Sequence, residues 1–472
     1  VAENYDLVIL GGGTGGYVAA ICASQAGLKT AIVESDKIGG VCLHKGCIPT
    51  KSLLKSAEIY QLTKHAEQFG VETADPTFNW SKVIARKDEV VNRLYNGVQS
   101  LMKQGKIDVY HGFGRLLGPS IFSPMAGSIS VEYEDDKEND ILIPKNVILA
   151  TGSSANSISK IAPDGEVVIT SDHLFDLDDI PQNMVIIGGG VIGIEWASLF
   201  ADVGCDVTIV EASGNILPGF DLDIISFTEK RLKQRGINIL KNALVEDVKK
   251  DKNSAEVHIQ TNEENQVITT EKVLVAVGRK PNTFNIGLQN TEIECDDDGS
   301  IIVNEHLQTK ESHIYAIGDV TGGNMLAHVA MYEARKAISH ITASQSLPTE
   351  SSIPSCVYSN PEIAMIGLTE QQALDQGYQV EVKKTYFPSV GKSFVNGEED
   401  GFIKMISDQK TKDLIGIHIV GGTATELITP GSMAFYFDAS PLELSEVIYP
   451  HPSMNEIYSE VALAIEGRKL HG

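Results

Sequence analysis

The strongest constraint in this chain is a glycine pattern that occurs twice. A short apolar run, Tyr5-Asp6-Leu7-Val8-Ile9-Leu10, meets Gly11-Gly12-Gly13-Thr14-Gly15-Gly16 and then an alanine-rich stretch, Tyr17-Val18-Ala19-Ala20. Gly11, Gly13 and Gly16 stand at G-x-G-x-x-G positions, so the segment reads as strand, tight turn and helix start. Such a turn lets a pyrophosphate approach the backbone, with the helix N-terminus facing its charge. A second apolar run, Thr30-Ala31-Ile32-Val33, ends in Glu34, whose carboxylate can accept hydrogen bonds from a ribose diol.

The same construction returns downstream. Met184-Val185-Ile186-Ile187 precedes Gly188-Gly189-Gly190-Val191-Ile192-Gly193, and Val207-Thr208-Ile209-Val210 ends in Glu211. Gly11, Gly16 and Glu34 map onto Gly188, Gly193 and Glu211 with one constant offset, and Gly190 repeats Gly13. One such match is weak evidence, because glycine-rich turns are common; two complete units at identical internal spacing are strong evidence. The expectation is an α/β chain with two Rossmann-like dinucleotide-binding domains. Glu211 is followed by Ala212-Ser213-Gly214, with no base to meet a 2′-phosphate. That favours NAD over NADP, so one unit reads as an FAD site and the other as an NAD site.

A chain of 472 residues has room for about three domains. The formal net charge of -25 argues against a nucleic-acid-binding face and fits a soluble enzyme or one that docks a basic partner. No apolar run is long enough to span a bilayer, so no membrane association is expected. No basic segment followed by an apolar one opens the sequence, which points to the cytoplasm, or to a mitochondrial matrix or plastid after removal of a transit peptide.

Of six cysteines, Cys22, Cys205, Cys295 and Cys356 are scattered and read as buried or inert thiols. Cys42 and Cys47 lie close together in Gly39-Gly40-Val41-Cys42-Leu43-His44-Lys45-Gly46-Cys47-Ile48-Pro49-Thr50-Lys51. Zinc would want further ligands at short spacing, and only His44 is near, so redox chemistry is preferred and no metal site is expected. A disulfide needs Cα atoms about 4.4–6.8 Å apart, whereas five residues of regular helix rise about 7.5 Å. A bridge here therefore requires a distorted turn, which Gly39, Gly40 and Gly46 permit. A helix start and the charges of Lys45 and Lys51 would favour a thiolate.

This segment resembles the G-G-x-C-x-x-x-x-C-x-P-x-K motif of the pyridine nucleotide–disulfide oxidoreductases that carry two dinucleotide sites. The resemblance covers nearly the whole chain. It implies FAD at the first unit and NAD at the second, with Cys42 exchanging with substrate, Cys47 facing the flavin, and Lys51 near the reactive flavin nitrogen, partnered by Glu195. Ile148-Leu149-Ala150-Thr151-Gly152-Ser153 resembles the turn closing the FAD domain, and Val277-Gly278-Arg279-Lys280-Pro281-Asn282 the return from the NAD domain. Ile314-Tyr315-Ala316-Ile317-Gly318-Asp319 resembles the second FAD fingerprint, with Asp319 on the ribityl chain and Met325-Leu326-Ala327-His328 continuing the contact. Thr151, Gly152, Gly318, Asp319 and Ala327 thus join the expected FAD residues, and Gly278 the NAD residues. Near the end, His451-Pro452-Ser453-Met454-Asn455-Glu456 is similar to a proton-transfer dyad, His451 as acid/base and Glu456 orienting it, which in relatives reaches the disulfide of the other subunit of a homodimer.

The expected division is 1–150 for FAD, 151–279 for NAD, 280–350 completing the FAD site, and 351–472 as an α+β dimerisation domain. Three departures stand out: Ser453 replaces the more usual Thr, Asn156 a frequent Pro, and Pro430-Gly431 is expected to break an interface helix. Within the family, the C-terminal Glu466-Gly467-Arg468-Lys469-Leu470-His471-Gly472 lacks the cysteine pair of mercuric reductases, and Val191 stands where glutathione reductases commonly carry Tyr. Val207-Thr208-Ile209-Val210-Glu211-Ala212 with Ile216-Leu217-Pro218-Gly219-Phe220-Asp221 resembles the dihydrolipoamide dehydrogenases. That resemblance implies dihydrolipoamide on a lipoyl domain as substrate, and the peripheral-subunit-binding region of an acyltransferase core as partner. Another NAD(P)H-dependent disulfide reductase, or a docking subunit without turnover, remains the alternative.

Overall fold

The computed structural model describes residues 2–119, 126–134, 137–262, 265–344 and 352–471. The expected boundary at 350/351 lies outside the described residues, as do Val1 and Gly472.

The first glycine unit builds the centre of a seven-stranded sheet. Strand Ala2–Leu10 pairs in parallel with Thr30–Glu34 on one side and Asp140–Leu149 on the other. Its residues alternate between two packed faces. Leu7 and Ile9 meet the alanines of helix Thr14–Gln25 and of helix Ala327–Ile341. Val8 and Leu10 meet Leu116, Ile129 and Val131 of the antiparallel extension Phe113–Leu117 and Ser128–Glu132. Burial on both faces explains why the strand reads as a continuous apolar run rather than an alternation.

The chain then leaves through Ser153–Ala155 and returns through Arg279–Pro281, two strands paired antiparallel. Between them lies a second, all-parallel sheet in the order Asn238–Leu240, Asp206–Val210, Asn183–Ile187, Lys272–Val275, Val168–Thr170. One of its faces packs on helix Val191–Asp202, the other on the three-stranded antiparallel sheet spanning residues 244–270. After the return, Ile314–Ala316 adds to Asp140–Leu149, so the first sheet closes only with residues from beyond the second.

The third body is a five-stranded antiparallel sheet. Ile403, Met405, Ile417 and Ile419 bury one face against helices Ala424–Tyr436 and Glu456–Ile465. Phe402 and Val420, on the opposite face, share a core with the second unit. The expected break at Pro430-Gly431 does not occur: helix Ala424–Tyr436 runs through it. Pro430 is the seventh residue of this helix, and its missing N–H removes one bond, to the Glu426 carbonyl. Gly431 is buried where a Cβ would lie 3.0 Å from Ile417 Cδ1 and 3.1 Å from the Tyr458 hydroxyl. Tyr458 uses that space to donate to the Leu427 carbonyl at 2.7 Å.

Candidate active site

The two glycine turns are built alike. Gly11 and Gly188 both have positive φ, +98 and +108, and a Cβ on them would strike the carbonyl oxygens of Ala150 and Ala276 at 2.2 and 2.4 Å. Gly16 and Gly193 lie against the carbonyls of Gly11 and Gly188, where a Cβ would come to 1.9 and 2.0 Å. Gly12 N–H donates to Glu34 Oε2 at 2.6 Å, and Gly189 N–H to Glu211 Oε2 at 2.7 Å. The other carboxylate oxygens accept from Asp36 N–H and Ser213 N–H.

Both turns fit a dinucleotide. Helices Thr14–Gln25 and Val191–Asp202 begin after Gly13 and Gly190 with no side chain capping them and no acid in the first turn. Their N-terminal N–H groups are thus left to an anion, and both helices are long enough to present an aligned dipole. Space is open where it is needed: a Cβ on Gly190 meets nothing within 4 Å, and one on Gly13 meets only Gly40 Cα at 4.0 Å.

Between Glu34 and the next helix the chain makes the distorted turn that the cysteine spacing requires. Short helix Gly40–His44 stops at Lys45, Gly46 turns at φ −141, ψ −112, and Cys47 opens the helix Cys47–Lys64. Gly39 and Gly40 have φ of +110 and +61, and a Cβ on Gly40 would lie 2.6 Å from Gly13 Cα. Glycine at 40 therefore lets the cysteine segment press onto the first turn.

Cys42 and Cys47 are free thiols in this structure, Cys42 donating a hydrogen bond to the Cys47 sulfur. That hydrogen bond, and the Lys51 ammonium, hold the Cys47 thiol down to about 7 against burial. The same bond, together with burial, pushes Cys42 up. Proton loss therefore starts at Cys47, at a helix N-terminus that also favours the anion.

Lys51 lies one turn beyond Cys47 and donates to Glu195 Oε1 and Oε2 at 3.0 and 2.7 Å. Glu195 comes from the second fingerprint helix, so this pair joins the two units. His451 Nδ1 bonds Glu456 Oε1 at 2.9 Å, and Ser453 N–H donates to Glu456 Oε2 at 2.9 Å. Burial opposes ionisation of Glu456, but the Ser453 N–H and His451 outweigh it and hold the carboxyl below its ordinary range. Ser453 also supplies a hydroxyl to Asn455 N–H, as Thr would. His451 is largely exposed, and among the described residues no hydrogen bond or ion pair joins the dyad to the cysteines of its own chain.

The remaining expected residues cluster where the first sheet meets the crossing strands. Thr151 Oγ1 donates to Asn282 O at 2.8 Å, Asn282 N–H to Gly152 O at 2.9 Å, and Asn156 N–H to Gly278 O at 2.9 Å. Proline at 156 would lose that last bond, which accounts for the departure noted above. Gly278 is open, with nothing within 4 Å of an added Cβ. Asp319 accepts from the Ser153 hydroxyl, which Arg279 Nε also contacts at 2.7 Å, and Gly318 N–H donates to Glu333 at 2.5 Å. Ala327 opens its helix uncapped. His328 Nε2 meets the Pro354 carbonyl at 2.9 Å.

Sequence reasoning missed Tyr358 and Glu333, which no local motif marks, and gave Ser153 no role of its own within its turn. Of the scattered cysteines, Cys295 is exposed, whereas Cys356 is partly buried near Lys51 and Glu195, with burial pushing its thiol up to about 11.

Comparison with known proteins agrees with this architecture. The pyridine nucleotide-disulphide oxidoreductase family description matches residues 5–334, and that family's dimerisation domain matches 353–462. The chain belongs to this family. A dihydrolipoyl dehydrogenase of Bacillus subtilis is 49% identical over 474 residues, covering 100% of both chains, and one of Zymomonas mobilis 39% identical over 477 residues, again covering 100% of both. Among solved structures, LpdA of Mycobacterium tuberculosis matches with a TM-score of 0.90 at 25% identity, covering 97% of this chain and 99% of that one. The flavoprotein disulfide reductase RclA of Escherichia coli matches with a TM-score of 0.86 at 27% identity, covering 98% and 99%. As a family member the protein is an FAD- and NAD-dependent flavoprotein disulfide oxidoreductase with a dimerisation domain. Among the described residues no helix is long and apolar enough to cross a membrane.

Proposed function

We propose that the protein is a dihydrolipoyl dehydrogenase, reoxidising dihydrolipoamide through a Cys42–Cys47 disulfide and delivering a hydride to NAD. The observation that carries this is the cysteine pair at a helix N-terminus beside the Lys51–Glu195 ion pair, in a chain 49% identical over its full length to a dihydrolipoyl dehydrogenase.

Gly11, Gly13, Gly16, Glu34, Thr151, Gly152, Gly318, Asp319 and Ala327 would hold FAD, and Gly188, Gly190, Gly193, Glu211 and Gly278 would hold NAD. FAD, when bound, carries the electron pair from the dithiol to the nicotinamide. The protein's own residues handle protons and sulfur. His451 of the partner subunit takes a proton from one substrate thiol, because thiolates are scarce near neutral pH. The thiolate attacks Cys42 Sγ, the Cys42–Cys47 bond breaks, and Cys47 leaves as a thiolate held by Lys51 and the helix N-terminus. The second substrate thiolate then displaces Cys42, closing the lipoamide ring and leaving the protein as a dithiol.

This reading divides the chain at 150, 279 and 350, supported by the two sheets and the antiparallel crossing between them. The homodimer is required for the dyad to reach the disulfide, and the acidic balance suits a basic acyltransferase segment as docking partner. Steady-state assays with lipoamide and oxidised glutathione, each with NADH and NADPH, test the proposal. Lipoamide with NADH is expected to dominate by about 100-fold or more, the scale of discrimination a misfitted charged group imposes. Preference for glutathione or NADPH refutes it.

A further inference from the structure

All three bodies meet at the Lys51–Glu195 pair, and the third one touches it through a residue the redox reading leaves unused. Tyr358 follows strand Ser355–Val357 of the antiparallel sheet. Its ring centroid lies 4.7 Å from Lys51 Nζ, and its backbone N–H donates to Glu195 Oε1 at 2.9 Å. It therefore grips both members of the ion pair, one by its ring and one by its backbone.

The Lys51 ammonium spends its donors on Glu195, whose side chain is 6% exposed, while its own side chain keeps 32% exposure. Lys51 and Cys47 are four residues apart on one helix, so they share a face. The other groups near this charge are Cys42 from the same segment and Cys356 from the third sheet. Burial pushes Cys356 up to about 11, so it stays neutral at working pH. Glu195 is thus the carboxylate that bonds Lys51 directly, and the Tyr358 ring lies against the ammonium on another side. A cation over an aromatic face is attracted by the ring's quadrupole, which favours holding the ammonium in place. A cation held in place beside a thiolate attracts it more strongly the shorter their separation.

We propose that Tyr358 is a positioning residue for the cysteine pair: its ring, reaching in from the third sheet, seats the Lys51 ammonium beside Cys47. The step it governs is release of the Cys47 thiol proton to solvent, with no other bond made or broken. The hydroxyl has no part in it. The biological meaning rests on the redox reading above, but the effect itself is read at Cys47 and does not depend on which substrate is used.

The test is peptide-resolved carboxamidomethylation of Cys47 across pH 5.5–8.5 in the flavin-loaded Cys42→Ser protein. Adding Tyr358→Met is expected to slow the reaction at pH 6.5 about two- to fivefold, the range a lost cation–π contact supplies, and to restore the parental rate at high pH. Tyr358→Phe should match the parent. In a Lys51→Met background, Tyr358→Met should do nothing further. Should Tyr358→Met fail to fold, pentafluorophenylalanine at position 358 keeps the ring's shape, reverses its charge distribution and must slow the reaction likewise. An unmoved profile with Tyr358→Met or the fluorinated ring, an equal shift with Tyr358→Phe, or an undiminished effect without Lys51 each overturns the proposal.

Discussion

The two glycine units share a frame down to single hydrogen bonds and part company in the segment that follows the acid. In the first, Gly39 N–H ties back to Gly12 O at 2.8 Å and the chain enters the cysteine helix. In the second, Leu217 N–H ties back to Gly189 O, also at 2.8 Å, and the chain runs to Asp221 instead. Asp221 caps helix Leu222–Gln234 and meets Lys404 of the third sheet at 2.9 and 3.0 Å. Lys404 is 1% exposed and also contacts Asp223 at 2.7 Å and Glu370 at 2.6 Å. The equivalent stretch thus carries reactive sulfur in one copy and an anchor to the third body in the other. A shared scaffold leaves this connection free to differ because the turn, helix and acid already satisfy one another.

The sharpest way to break the contrast is to exchange the expected penalties. Cys47→Ser is expected to lower lipoamide turnover by about 10³-fold or more, as loss of a reacting nucleophile does, while flavin content and unfolding midpoint stay near the parent. Absorbance of the purified protein, turnover and thermal melting measure all three. Appreciable turnover in the serine variant would mean the first unit's connection is not where the sulfur chemistry happens.

Lys404→Met should show the opposite balance. It strands the buried Asp221 carboxylate, while Asp223 keeps Lys384 and Glu370 is partly solvated, and breaking a buried pair costs about 3–5 kcal/mol. Burial opposes ionisation of Asp221 and Asp223, yet their lysine bonds hold both carboxyls below the ordinary range. Denaturant unfolding is therefore expected to begin much earlier, whereas Cys47 alkylation in the protein that remains folded stays normal. A variant as stable as the parent would remove the anchor from the comparison.

The smallest effect concerns pH. His418 pairs across the strands with Lys404, is fully buried, and leaves Nδ1 without a partner while Nε2 meets Leu368 O at 3.0 Å. Burial holds its pKa below the ordinary value, with Lys404 adding to that and Asp221 and Asp223 opposing. A depressed histidine favours the folded state fully above its unfolded pKa, and this contribution is lost as pH falls toward the folded value. Melting curves between pH 7.5 and 5 should thus decline less steeply in His418→Leu than in the parent. Identical slopes would show that another group governs acid sensitivity here.

What the sequence made legible follows from the same physics. Gly11, Gly16, Gly188 and Gly193 could be read because backbone contact forbids a side chain there, and that prohibition is local. The Cys42–Cys47 turn was legible for the same reason, through Gly39, Gly40 and Gly46. Lys51 and Glu195 could be matched only by resemblance, since 143 intervening residues separate them and no periodicity links them. Tyr358 and Lys404 were invisible: each acts by reaching another body, and nothing in its own neighbourhood marks it. Pro430 misled because helix-breaking was judged without the packing that holds this helix, with Gly431 buried against Ile417 and the Tyr458 hydroxyl bonded to the Leu427 carbonyl.

The crossing strands have a consequence for the order in which this chain acquires structure. Ser153–Ala155 and Arg279–Pro281 lie side by side, so everything between them is a parenthesis opened and closed at one place. Strand Ile314–Ala316, which completes the first sheet, is synthesised after that parenthesis has ended. The inserted unit can close while the N-terminal one is still waiting for its last strand. On the ribosome, the domain encoded first is therefore the later of the two to be finished.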